Sequence, residues 1–113
     1  MSLQDHVPSL ELCRKWKQAG GRQDTEFAWY FDDNSNSWIV FSQYLREAHR
    51  TKSVAAPLEG EMMEWMKELF GDIHFNEITK KWFVYPRGEV GHTNIKLPNA
   101  LMQMAIWQKE NEK

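Results

Sequence analysis

The chain is 113 residues long, with 42% apolar and 27% charged residues and a formal charge of -2. That length suits one domain with a single buried core, and that charge supplies no global pull toward nucleic acid or an anionic membrane. One cysteine excludes an internal disulfide and points to a reducing, cytoplasmic setting, and no apolar run approaches the roughly 20 residues that span a bilayer.

The N-terminal MSLQDHVPSL has neither the basic head nor the apolar stretch of a signal peptide, and residues 1–7 are expected to be partly disordered. SLELCRKWKQAGG then carries Leu10, Cys13, Trp16 and Ala19 at helical spacing, with Arg14, Lys15 and Lys17 facing away. Ser9 as N-cap and Gly20 or Gly21 as C-cap predict a helix over 9–19. TEFAWYF and WIVFSQYL flank DDNSNS, a hairpin signature. Phe27, Trp29 and Phe31 share one strand face, Trp38 and Val40 another. The basic stretch LREAHRTKSVAA is read as a connection.

PLEGEMMEWMKELFG places Leu58, Met62, Trp65, Met66, Leu69 and Phe70 at helical spacing, with Pro57 at its start and Gly71 as its stop. A second hairpin follows in DIHFNEITKKWFVYPRG, turning near 77–81 and ended by Pro86. RGEVGHTNIK reads as a loop. LPNALMQMAIWQKENEK is a third helix, with 109–113 as a fraying end. The expectation is a single α+β domain over 1–113 in the order α-ββ-α-ββ-α, three helices packed on antiparallel hairpins. FDDNSNSWIVF and FNEITKKWFVY align at a constant offset of 44. Two readings stand: an internal duplication, or two hairpins obeying the same turn rules.

Three segments, LELCRKWKQAGGRQDTEFAWY, VAAPLEGEMMEWMKEL and LPNALMQMAIWQKEN, resemble a family of small bacterial, prophage and mobile-element proteins of uncharacterised function. The matching positions are Ala19, Gly20, Gln23, Asp24, Thr25 and Phe27, then Ala56 and Pro57, then Asn99, Ala100, Leu101 and Trp107. Gly21 departs from the pattern, standing where a bulky apolar residue is frequent. The resemblance implies this architecture and a phage-type origin. It brings no catalytic residues with it.

The residues themselves argue against most site chemistries. Four scattered histidines form no H-x3-H pair, and Asp72-x-His74 alone puts two candidate ligands on one strand face, so no metal or cofactor is expected. Cys13 on an apolar helix stripe reads as an inert core thiol. Asp32, Asp33 and Glu77 are acidic residues at hairpin turns, which turn chemistry explains. No nucleophile, base and orienter occur together, so no enzyme is expected. Within the corner, Asp24 and Thr25 are expected to hydrogen-bond backbone groups as the chain turns.

Binding remains. Trp29, Trp38, Trp82 and Tyr85 are candidate contacts for a protein partner, either another protein or a second copy forming a homodimer, since tryptophan and tyrosine dominate interface hot spots. Open hairpin edges invite strand pairing. The alternative is single-stranded nucleic acid, bound through Arg46, Arg50 and Lys52 on the basic connection and Lys80, Lys81 and Arg87 around the second hairpin.

Overall fold

The first helix shows how closely local sequence dictates local structure in this protein, whose computed structural model describes residues 3–42, 53–68, 70–86 and 91–111. Helix α1 (Leu10–Gln18) opens where the Ser9 hydroxyl accepts from the Leu12 N–H at 3.3 Å, satisfying one orphan donor of the first turn. At its far end Gly20 adopts φ +86°, its N–H donates to Lys17 O at 3.1 Å, and the Gly21 N–H reaches back to Trp16 O at 2.8 Å. This is a Schellman cap, which needs a left-handed residue at the position of Gly20.

Residues 3–7 precede α1. Leu3–His6 form a 3-10 turn, and Val7 is buried at 1% exposure. His6 meets Glu59 at 3.3 Å and Asp5 meets Lys96 at 3.7 Å, so the turn is held from two sides.

Strands β1 (Phe27–Asp32) and β2 (Ser37–Ser42) pair antiparallel, and β3 (Val54–Ala55) pairs with the other edge of β1. Strand β3 lies inside the expected connection, because two residues carry no periodicity. Helix α2 (Glu59–Trp65) is shorter than expected. It starts with the Glu61 carboxylate accepting from the Leu58 N–H at 2.9 Å. It gives way because Phe70–Asn76 form strand β4 instead, with Phe70 opposite Pro86. Gly71 thus lies within a strand, beside a β-bulge, rather than stopping a helix. Strands β5 (Lys81–Pro86) and β6 (His92–Asn94) complete the second sheet, and β6 replaces part of the expected loop. Helix α3 (Leu97–Glu110) closes the chain order.

The result is a small α+β domain of three helices and two three-stranded antiparallel sheets. Helix α3 is its centre. It packs on β5 and β6 and touches α1 and α2. Its first two turns are buried nearly all round, at Pro98, Ala100, Leu101, Met102, Met104 and Ala105, as expected for a helix apolar on every side. One core gathers Trp16, Met62, Met66, Val84 and the α3 residues; a second gathers Val7, Cys13, Trp29, Val54 and Ala56. Helix α1 serves both, because Cys13 and Trp16 lie one turn apart on its buried stripe. Among the described residues no helix is long and apolar enough to cross a membrane.

The two hairpins are alike in detail. In each, a four-residue turn ends in a left-handed residue, Asn36 at φ 55° and Lys80 at φ 59°. In each, the residue before the turn accepts backbone N–H bonds: Asp32 from Asn34 at 3.2 Å, Asn76 from Ile78 and Thr79 at 2.9 and 3.0 Å. A Phe–Trp pair braces each tip, Phe31 on Trp38 at 5.7 Å and Phe75 on Trp82 at 5.3 Å. The likeness ends there. The third strand joins the first strand of one hairpin, in the order β2-β1-β3, but the second strand of the other, in the order β4-β5-β6.

Candidate functional site

On β4 the residues alternate between faces, and their register with β5 fixes what each face holds. Asp72, His74 and Asn76 stand opposite Tyr85, Phe83 and Lys81; Ile73 and Phe75 stand opposite Val84 and Trp82 on the reverse face. The first set forms an outer face, where Tyr85, His74 and Phe83 stack as a ladder. His74 lies 5.8 Å from Tyr85 and 5.4 Å from Phe83, with interplanar angles of 22° and 15°. Asp72 Oδ2 meets His74 Nδ1 at 2.9 Å and orients the imidazole at the centre of the ladder. Tyr85 lies flat over Gly91, where any Cβ would overlap its ring.

The reverse face packs on the core, but its cover thins toward the turn. Val84 is fully buried, whereas Phe75 is 40% exposed. Beyond it Ile78 projects from the turn at 93% exposure, and Ile95, next to the residue paired with Trp82, is 69% exposed. Three of the four large apolar side chains most exposed among the described residues therefore lie at the turn end of the second sheet, Phe75 and Ile95 on either side of the strand that carries half-buried Trp82. The fourth is Phe31, at the tip of the other hairpin.

The residues singled out from sequence separate accordingly. Trp29 is a core residue at 9% exposure, its indole N–H donating to Pro8 O at 3.2 Å. Its ring packs in the second core with Val7 and Cys13, so it offers little surface to a partner. Trp38 is half-buried, with the Arg14 guanidinium 4.9 Å above its ring. Trp82 and Tyr85 lie on opposite faces of the second sheet, both half-buried. Lys80 and Lys81 are exposed, Lys81 on the ladder face by alternation. Arg46, Arg50, Lys52 and Arg87 lie outside the described residues.

Sequence reasoning passed over Ile78 and Ile95, although a signal was present: an isoleucine inside a turn and another inside a loop, where polar residues are the rule. It placed Asp72 and His74 on one strand face, with no metal expected there, but without the rings from β5 between which His74 stacks. Among the described residues no three of His, Cys, Asp and Glu converge on one point.

The Cys13 thiol is buried and pushed up to about 12, chiefly by desolvation, so its thiolate is scarce at neutral pH. His92 faces α3 against Trp107, with ring centroids 5.8 Å apart, and its Nε2 has no hydrogen-bond partner. Burial holds its pKa below the ordinary imidazole value of 6.5. The unfolded chain therefore takes up the proton first as pH falls, so stability is full above pH 6.5 and declines below it toward the folded-state pKa. His92→Leu should remove that part of the decline, giving a smaller loss of Tm than the wild type between pH 7.5 and 5 in parallel thermal melts. Equal losses would show that His92 does not carry it.

No protein-family profile, curated protein or solved structure matches this chain.

Proposed function

We propose that this protein is a non-enzymatic interaction or regulatory module, of the prophage accessory type that its Gln-Asp-Thr corner resembles, and that it meets a protein partner through the second sheet. One observation carries the reading. Phe75, Ile78 and Ile95 are all exposed at the turn end of that sheet, and large apolar side chains exposed near one another mark interaction sites where scattered ones do not. Phe75 and Ile78 sit on a hairpin whose turn is fixed by its own hydrogen bonds, so little ordering entropy opposes binding.

A double substitution tests this. Ile78→Asp with Ile95→Asp should leave Tm nearly unchanged, since both side chains face water. The same pair should abolish the enrichment of a specific protein on the immobilised chain from an extract of its own cells. Enrichment that survives the substitutions would contradict the proposed surface.

A second reading, binding of single-stranded nucleic acid, draws on the ladder of Tyr85, His74 and Phe83 beside Lys81, since ring faces and a cation are what unpaired bases and phosphates engage. Asp72 stands on the same face and opposes phosphate. Oligonucleotide affinity that falls steeply with salt would favour this reading, and no binding at low salt would remove it.

A further inference from the structure

Strand β4 ends one side of the second sheet, and no described strand pairs with its outer edge. Such an edge is a template for another strand, and proteins ordinarily blunt it with lysine, proline, a bulge or shortness. The other edge strand of this sheet, β6, has three residues; β4 has seven, with no lysine or proline and a bulge only at its beginning. The run from Asp72 to Asn76 is regular and open.

We propose that this edge pairs with the same edge of a second copy, antiparallel about a two-fold axis at Ile73, giving one continuous six-stranded sheet. The proposal rests on the second sheet being the interaction surface and adds to it a self-contact along its β4 edge. An isologous contact must be self-complementary, and the sequence of β4 is so in this register. Asp72 falls opposite His74 of the second copy, and His74 opposite Asp72 of the second copy, so each face-sharing pair is acid against imidazole. Ile73 meets its own counterpart. Phe75, 40% exposed, falls opposite the bulged start of β4 in the second copy, where the regular pairing ends.

Neighbouring registers lose this match. An axis at Asp72 sets that carboxylate against itself; an axis at His74 sets the imidazole against itself and Asp72 against Asn76. Directly opposed like charges destabilise a pair of strands, whereas opposite charges support it.

The inner side of the same edge supplies a seat. A groove of about 650 Å³ runs between α2 and the start of β4, its apolar floor at Gly60, Met63 and Ile73 rimmed by Glu64, Lys67 and Asp72. Ile73 of a second copy, on the inner face by alternation, would meet Met63 and Ile73 in that groove, and the reciprocal groove would receive the first. The outer ladder of Tyr85, His74 and Phe83 would then continue across the axis into its twin.

Sedimentation equilibrium of the full chain over a roughly hundredfold concentration range tests the register. The wild type should show a reversible dimer. Asp72→Lys should weaken it about tenfold or more, because two lysine–histidine pairs replace two complementary ones. Asp72→Lys combined with His74→Glu should restore it, since the reversed charges are again opposed. Both side chains are exposed, and circular dichroism would verify that each variant is folded. A monomeric wild type overturns the proposal, as does a dimer indifferent to Asp72→Lys or one that the double reversal fails to rescue. A monomeric wild type whose protein partner is still lost on substituting Ile78 and Ile95 would overturn the dimer alone and leave the interaction surface standing.

Discussion

Replacing Trp16 by alanine should lower stability by about 3–5 kcal/mol, the range for emptying a buried aromatic site. Trp16 is 6% exposed, stacks on Trp65 at 5.8 Å with an interplanar angle of 13°, and donates its indole N–H to Arg22 O at 3.0 Å. The Arg22 guanidinium lies 5.1 Å from the Trp65 ring, extending the stack to the surface. Trp16 also explains why residue 21 is glycine: a Cβ there would overlap the indole. Gly21→Ala alone should therefore cost about 1–3 kcal/mol through overpacking. In the Trp16→Ala background the same change should cost almost nothing, because the obstructing ring is gone. Chemical denaturation of the four chains gives this coupling directly. Additive losses would show that Gly21 answers to something other than Trp16.

The second large effect lies two residues further on. The Gln23 side chain spans the corner, its Nε2 donating to Gly21 O and Arg22 O at 3.2 Å each and its Oε1 accepting from the Ala55 N–H at 3.0 Å. Ala55 is 1% exposed, so its N–H has no ready access to water. Gln23→Ala should leave that donor unpaired and loosen β3 from the corner, costing about 1–3 kcal/mol. Asp24 presents a contrast. Its main partner is the exposed Arg22 guanidinium, at 3.2 and 3.1 Å, which holds the carboxyl below the usual aspartate range. Exposed pairs of this kind contribute little, so Asp24→Ala should change stability by about 0.5 kcal/mol or less. Thermal melts of the two variants side by side should separate them clearly. Equal losses would mean that the corner is not held through Gln23.

This corner shows what was legible in the sequence and what was not. The glycine pair announced a helix end, and the Schellman cap at Gly20 fulfils it. Thr25 does bond the backbone, donating to Phe27 O at 2.6 Å. The roles of Gln23 and Gly21 were hidden because each depends on a residue placed by the fold: Ala55, 32 positions away, and the rotamer of Trp16. The same distinction runs through the rest of the chain. Helix α1, helix α3 and both hairpins follow from caps, periodicity and turn residues, all local properties. Strands β3 and β6, of two and three residues, exist only through pairing with β1 and β5. The helical spacing that reaches Phe70 was a competing local signal that pairing of β4 with β5 overrode. Likewise, the stacking of His74 between Phe83 and Tyr85 required a register that no single strand contains.

The surface reading depends on a division of labour in which the Gln23 corner is framework and the apolar end of the second sheet is the contact. The most direct test measures both properties on both variants: Tm, and capture of the partner at a temperature where all chains are folded. Gln23→Ala should melt lower than the wild type yet retain the partner. Ile78→Asp with Ile95→Asp should melt with the wild type yet lose it. A Gln23→Ala chain that loses the partner at unchanged Tm would place the site at the corner and contradict the account.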